Sequence, residues 1–250
     1  MIELYHFEPT ANSGEVLICL KEKGIDFVGR YVDVLAGEQF APDFLRINPA
    51  GQVPVLVHDD QPLTETGFIL QYLDEVFPTV RLTPETPEGR YWVNVWIKYV
   101  EEYMAPAVWK LGISRTLAGV DRARVQAALE RAPAERRQAW LKAFQGFDAV
   151  DLEIARGLLP VRLERMEAAL AGGAWLAGEH YSLADIAVFP TARAAPLVAP
   201  DLVSASATPG IWDWLQRMES RPAVQAALAM GRSDRPEAVF APGPEGSRWG

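Results

Sequence analysis

The sequence predicts a two-domain protein, a small mixed α/β domain followed by an all-α domain. Three observations predict it. Strand and helix signals alternate over residues 2–76; strand signals then cease after a proline-rich stretch; and the remainder carries apolar residues at helical spacing. The chain of 250 residues has length for two modest domains.

Taken in order, Ile2 to Phe7 reads as a short strand and Pro9 to Ser13 as a turn. Gly14 to Lys23 reads as a helix that Gly24 ends. Phe27 to Val34 is β-rich, which completes a β-α-β unit with a right-handed connection and parallel strands. Pro42 to Ile47 predicts a helical turn. Pro54 to Val57, then Asp59-Asp60, then Pro62 to Thr64 predict a hairpin, and Glu65 to Val76 a helix with Phe68, Ile69, Tyr72, Leu73 and Val76 at helical spacing. The order β-α-β, then β-β-α, is a thioredoxin-like arrangement over residues 1–77. Residues 78–87, with Pro78, Pro84 and Pro87, predict a linker.

From 88 to 230 everything reads as helix. Trp92, Val95, Trp96, Tyr99, Val100 and Tyr103 are spaced for one face of a long helix. Residues 115–156, rich in Arg and Ala, predict helices beyond a minimal bundle. Leu159 to Leu170 predicts another helix, ended by Gly172-Gly173. Ser182-Leu-Ala-Asp185 has the spacing of a capping box before an almost uncharged, buried helix from Ile186 to Ala195. Ile211 to Arg221 is amphipathic, and Pro222 opens a last helix. The stretch 231–250, poor in large apolar groups, predicts a tail that is disordered or laid over the surface.

Composition excludes several function classes. Net charge is −9, against the basic stripe that a phosphate backbone requires, so nucleic acid is not an expected partner. No apolar run approaches the ~18 residues that span a bilayer. The start, Met1-Ile-Glu-Leu-Tyr5, has no charged leader before a long apolar core, which predicts a cytoplasmic location. The lone Cys19 excludes a disulfide framework, and three scattered histidines predict no metal site.

The richest stretch for chemistry is Asn48-Pro-Ala-Gly-Gln-Val-Pro-Val-Leu56, followed by Glu65-Thr66. Pro54 lacks an N–H and opens a strand, which leaves the backbone of Val53 as an edge for a peptide-like ligand. Glu65 and Thr66 begin a helix, where backbone N–H groups gather. They suit an ammonium and a carboxylate respectively; capping of the helix is the plainer reading. Ser13, with Asn12 beside it, sits where the first helix starts. It is either an N-cap or a hydrogen-bond donor to an anion at the dipole's positive end. No general base stands beside Ser13, which argues against a serine nucleophile. Gln39 and Gln52 are neutral amides for the other end of such a ligand. Cys19 falls at helical spacing with Val16, Leu20 and Lys23, as a buried structural thiol does. The aromatic group from Trp92 to Trp109 reads first as helix-packing core, with one edge left to face the first domain.

In this order and spacing, these residues resemble the cytosolic glutathione transferases. The matching stretches are Asn12-Ser13, Gly37-Glu-Gln39 with Pro42-Asp-Phe-Leu45, Asn48 to Pro54, Glu65-Thr66, Tyr181-Ser-Leu-Ala-Asp-Ile186 and Trp214 to Pro222. The resemblance implies glutathione as co-substrate and no metal. It implies a cis Pro54, the Val53 backbone on the cysteinyl part, Glu65 and Thr66 on the γ-glutamyl end, and Gln39 and Gln52 near the other end. Ser13 matches the catalytic serine of the serine-type classes, with Asn12 adjacent. Phe40 stands where many relatives carry a lysine for the glycyl carboxylate, and Thr66 replaces the commoner serine. An electrophilic, aromatic acceptor is expected between the domains, walled by Pro9, Tyr103, Ala107 and Trp109. A homodimer is implied.

The stretch from Ala132-Pro-Ala-Glu-Arg-Arg-Gln-Ala-Trp140 through Gly146-Phe147 resembles an insertion in bacterial β-etherases, which cleave lignin-type aryl ethers with the glutathione thiolate. General conjugation, dehalogenation and isomerisation compete with that reaction. From another class competes a non-catalytic binding protein of the same fold.

Overall fold

The computed structural model describes residues 1–10 and 12–233. Its first part is a four-stranded sheet in the order β2-β1-β3-β4. Strands β1 (Ile2–His6) and β2 (Val28–Tyr31) are parallel and joined through helix α1 (Asn12–Glu22). Strand β3 (Val55–His58) pairs antiparallel with β1, and β4 (Gln61–Leu63) antiparallel with β3. Asp59 and Asp60 both hold positive φ, 47° and 65°, which is how a two-residue hairpin matches the strand twist. Helix α3 (Thr66–Val76) closes the unit. This is the thioredoxin-like order expected from the sequence.

Two boundaries differ from the sequence reading, each for a local reason. β2 stops at Tyr31 rather than Val34, because the Asp33 carboxylate accepts the N–H groups of Leu35 and Ala36 and starts a 3₁₀ turn there. A second 3₁₀ turn, Glu38–Phe40, leads into α2 (Pro42–Ile47).

The second part is helical throughout. Helix α4 (Pro87–Tyr99) opens on Pro87, with Thr86 accepting the N–H of Gly89. It continues through a π-helical turn, Val100–Met104, into α5 (Ala105–Leu117). Pro106 explains the turn. It offers no N–H to the regular ladder, and the Ala105 N–H reaches back five residues to the Val100 carbonyl.

Helices α6 (Arg122–Leu129) and α7 (Ala134–Gln145) follow. Helix α8 spans Ala149–Gly172, ten residues earlier than its apolar spacing indicated. Asp148 caps it by accepting the Asp151 N–H. Its first half carries exposed Val150, Ile154, Leu158 and Val161, so that half has no inward stripe to read. Helices α9 (Leu183–Val198), α10 (Pro209–Ser220) and α11 (Pro222–Leu228) complete the chain described. The tail expected over 231–250 lies outside the described residues from 234 onward.

The main core runs continuously from α1 and α3 of the first part into α4 and α9 of the second. Helix α9 is its centre, buried nearly all round as its lack of charge implies. Its entry is fixed by the capping box: Asp185 accepts the N–H of Ser182 (3.0 Å), of Leu176 (3.0 Å) and the indole N–H of Trp214 (2.9 Å). A buried ion pair, Lys23 to Asp74 at 2.7 Å, ties α1 to α3, and Asp74 also accepts the N–H of Leu82 in the linker. A separate small core joins α6 and α7 to Phe40 of the first part, with Val125, Leu129 and Trp140 around it.

Candidate active site

The end of β1 organises the site. Tyr5 faces Val55 in the antiparallel pair, and the same register sets Phe7 opposite Val53. Phe7 and Val53 share one apolar cluster, so Val53 is buried by its side chain while its backbone lies beyond the β3 ladder. The Val53–Pro54 peptide is cis. The Phe7 N–H donates to the Ser13 Oγ at 3.0 Å. That bond uses a lone pair of the hydroxyl and leaves its proton for another acceptor. Ser13 is the second residue of α1 and only 2 % exposed; Asn12, the first, is half-buried. Phe7, the residue that follows β1, therefore links the strand edge at Val53 to the hydroxyl at the start of α1.

Glu65 and Thr66 stand at the start of α3, as expected. Glu65 holds φ +67°, a left-handed conformation that a non-glycine residue adopts at a cost of order 1–3 kcal/mol. Thr66 is buried. Helix α3 approaches α4 closely here: a Cβ on Gly67 would lie 2.6 Å from Ile97 Cγ2 and 3.0 Å from the Glu101 carboxylate. Glu101 comes from the π-helical turn. Its stem is exposed, yet its carboxylate turns back to accept the Gly67 N–H. Burial pushes that carboxyl's pKa up, while Lys98 and the Gly67 N–H pull it down. Residue spacing does not place Glu101 here, because a π-helical turn shifts the helical phase.

The other end of the site is a cleft of about 240 Å³. Gln39, Gln52 and Val53 line one wall; Arg136 and Trp140 of α7 line the other. Gln39 is 2 % exposed. Its amide nitrogen donates to the Val34 carbonyl at 3.3 Å, and its Oε1 has no partner among the described residues. Gly51 shapes the floor: it holds φ +62°, and a Cβ there would lie 2.8 Å from the Phe40 ring. Phe40 itself is fully buried in the small core.

The residues expected around an acceptor are scattered. Pro9 is buried in the turn before α1. Tyr103 is 51 % exposed and stacks on Tyr99. Ala107 is packed in the main core, and Trp109 turns into the small core, edge-on to Phe147 at 5.5 Å. Neither Ala107 nor Trp109 offers an open wall, because α5 directs both inward after the π-helical turn. Cys19 is fully buried, and burial pushes its thiol well above the usual range. It is no nucleophile.

Glu8, beside Pro9, is a second acidic residue whose place the sequence spacing does not indicate. Its buried carboxylate accepts the Tyr31 hydroxyl at 2.5 Å and the N–H groups of Arg232 (3.1 Å) and Ser233 (3.0 Å). Residues 232–233 are thereby held against the turn that leads to Ser13. Among the described residues no three His, Cys, Asp or Glu gather for a metal, and no helix is long and apolar enough to cross a membrane.

A thioredoxin-like sheet followed by a helical bundle, with a strand edge aimed at the start of α1, defines a glutathione-transferase architecture. The chain belongs to the glutathione S-transferase family: residues 1–75 match its N-terminal domain and 124–222 its C-terminal domain. It is 35% identical over 237 residues to protein LigF of Sphingobium sp. strain SYK-6, covering 90% of this chain and 91% of that one. The crystal structure of beta-etherase LigF superposes with a TM-score of 0.84 at 33% identity, over 91% of this chain and 98% of the other. A glutathione transferase from Burkholderia graminis, solved with two glutathione molecules per subunit, gives a TM-score of 0.72 at 26% identity, over 92% and 88%.

Proposed function

We propose that this chain cleaves β-aryl ethers with the thiolate of glutathione. The observation that carries the reading is the hydroxyl of Ser13, held at the start of α1 by the Phe7 N–H and linked through Phe7 to the Val53 edge. Glutathione lies along that edge, its cysteinyl amide on the Val53 backbone and its γ-glutamyl end at Glu65 and Thr66. Its far end enters the cleft at Gln39 and Gln52. The sulfur then faces α1, where the helix dipole and the hydroxyl proton of Ser13 favour the thiolate, with Asn12 adjacent.

The thiolate attacks the carbon that bears the aryl ether. A C–S bond forms, the C–O bond breaks, and its electron pair leaves on a phenolate that water protonates. A phenol is a fair leaving group because its pKa is about 10, far below that of an alkyl alcohol. The overall similarity to LigF, which extends through α6 and α7, supports ether cleavage over the other transferase reactions. Tyr103 is the open aromatic surface for the acceptor among the four residues expected there.

A second copy of the chain is proposed to cover the exposed Phe68 of α3 and the exposed Tyr91 and Trp92 of α4, a run of apolar surface of the kind subunit contacts use. Incubation of the enzyme with a β-aryl ether dimer and glutathione tests the reaction. Free phenol and a glutathione thioether are expected in equal amounts; conjugate without phenol would replace ether cleavage by another transfer.

A further inference from the structure

We infer that Glu8 is a positioning residue for Ser13, and that residues 231–233 are the clamp through which it acts. The inference rests on the glutathione reading, because the bound thiol is its readout, and it adds a distant part of the chain to that site.

Glu8 follows Phe7 directly, and the Phe7 N–H holds the Ser13 Oγ at 3.0 Å. The Glu8 carboxylate is buried, and a carboxylate is kept in such a place only when its acceptors are filled. The Tyr31 hydroxyl fills one. The N–H groups of Arg232 and Ser233, at 3.1 and 3.0 Å, fill the others. The Arg232 guanidinium lies over the Tyr31 ring, 4.5 Å from its centroid, so the carboxylate is met by two successive backbone donors.

The packing is tight on both sides of the turn. A Cβ on Gly231 would lie 2.8 Å from Glu8 Oε2 and 3.3 Å from Pro9 Cδ. A Cβ on Gly14 would lie only 1.9 Å from the Pro9 carbonyl oxygen. Residues 231–233 thus seat against Glu8 and Pro9, and Pro9 seats against α1 one residue past Ser13. The far end of α1 is held by the same stretch of chain: Arg221, just before α11, donates to both carboxylate oxygens of Glu22, at 2.6 and 3.0 Å. Residues 221–233 therefore bracket the helix that carries Ser13. Residues 231–233 are exposed and add nothing to the core. What they fix is the turn, and with it the line from Phe7 to Ser13.

The test titrates the bound glutathione thiol by ultraviolet absorbance in full-length variants, with binding of S-methylglutathione as the check that the site is intact. Glu8→Ala and Gly231→Val are expected to bind S-methylglutathione as wild type does and to raise the thiol pKa toward that of Ser13→Ala. Glu8→Gln, which keeps one carbonyl acceptor, is expected to raise it less. Gly231 lies on the surface, so its variant spares the core should Glu8→Ala fold poorly. On a Ser13→Ala background neither change is expected to raise the pKa further, since a residue that acts through the hydroxyl has nothing left to act on. The sign separates this role from charge alone, because loss of a nearby carboxylate charge would lower the thiol pKa. A fall in that pKa, or an unchanged value in both Glu8→Ala and Gly231→Val, overturns the inference alone. So does a rise that persists on the Ser13→Ala background. A wild type that binds no glutathione overturns the glutathione reading and the inference with it.

Discussion

Replacing Ser13 by alanine separates two roles that one hydroxyl plays. The first is structural. The Oγ accepts the Phe7 N–H at 3.0 Å in a place that is 2 % exposed, so its removal leaves a buried donor without a partner. That costs about 1–3 kcal/mol. For a protein of 250 residues a melting temperature moves by roughly 2–4 °C per kcal/mol, which gives a loss of about 2–12 °C. The second role belongs to the complex. A hydrogen bond to a charged group is worth about 1.5–3 kcal/mol, and one pKa unit is about 1.4 kcal/mol, so the glutathione thiol should rise by about one to two units. From a bound value near 6.5, two units below a free thiol at ~8.5, a rise of about 1.5 units cuts the thiolate at pH 7 from about three-quarters to about a tenth. Ultraviolet titration of the bound thiolate reads this directly, and the rise of kcat/KM with pH should move to higher pH by the same interval. A variant that melts lower yet titrates as wild type would refute the catalytic role and leave Ser13 as a support for Phe7.

The other expectations concern the frame around the site. Burial raises the Asp185 carboxyl to about 6 from 3.8, so the folded state holds its proton where the unfolded state has lost it. The stabilising effect is therefore complete below pH 3.8 and is lost as pH rises to about 6, a total of about 3 kcal/mol; Asp185→Asn should flatten that part of a urea-unfolding series against pH. Lys23→Met removes the partner of buried Asp74 and should cost about 3–5 kcal/mol in denaturant unfolding, as a broken buried pair does. Gly51→Ala forces a side chain onto φ +62° and against the Phe40 ring, at about 1–2 kcal/mol for the backbone alone; calorimetry should also find weaker glutathione binding, since the cleft floor moves.

Three features were legible because their signals are local. A proline at a strand start, an acidic-hydroxyl pair at a helix start and a capping box at Ser182 are each written in adjacent residues, and each stands where the sequence places it. Glu8 and Glu101 were not legible in their places, because each depends on which distant element meets it. Glu101 reaches α3 through a helical phase that Pro106 resets, and Glu8 meets chain more than 220 positions later. The stretch from Ala132 to Phe147 stands out in the sequence, but the wall it builds does not. Its apolar residues form a small core of their own with Phe40, and no periodicity in α7 says that its partner is a 3₁₀ turn of the first domain.

That partnership gives the phenylalanine at 40 its meaning. On the surface of the first domain alone it would be a large apolar group standing where a cation is useful. With α6 and α7 packed on it, it becomes the anchor of a second core, and its carbonyl receives Arg131. Arg137, whose guanidinium donates to the Leu129 and Glu130 carbonyls, locks the α6–α7 turn beside that core. Phe40→Lys should therefore lower the stability of the whole fold, read as a lower melting temperature. It would bury a charge among Val125, Leu129 and Trp140, and loosen the packing of α6 and α7 on the first domain.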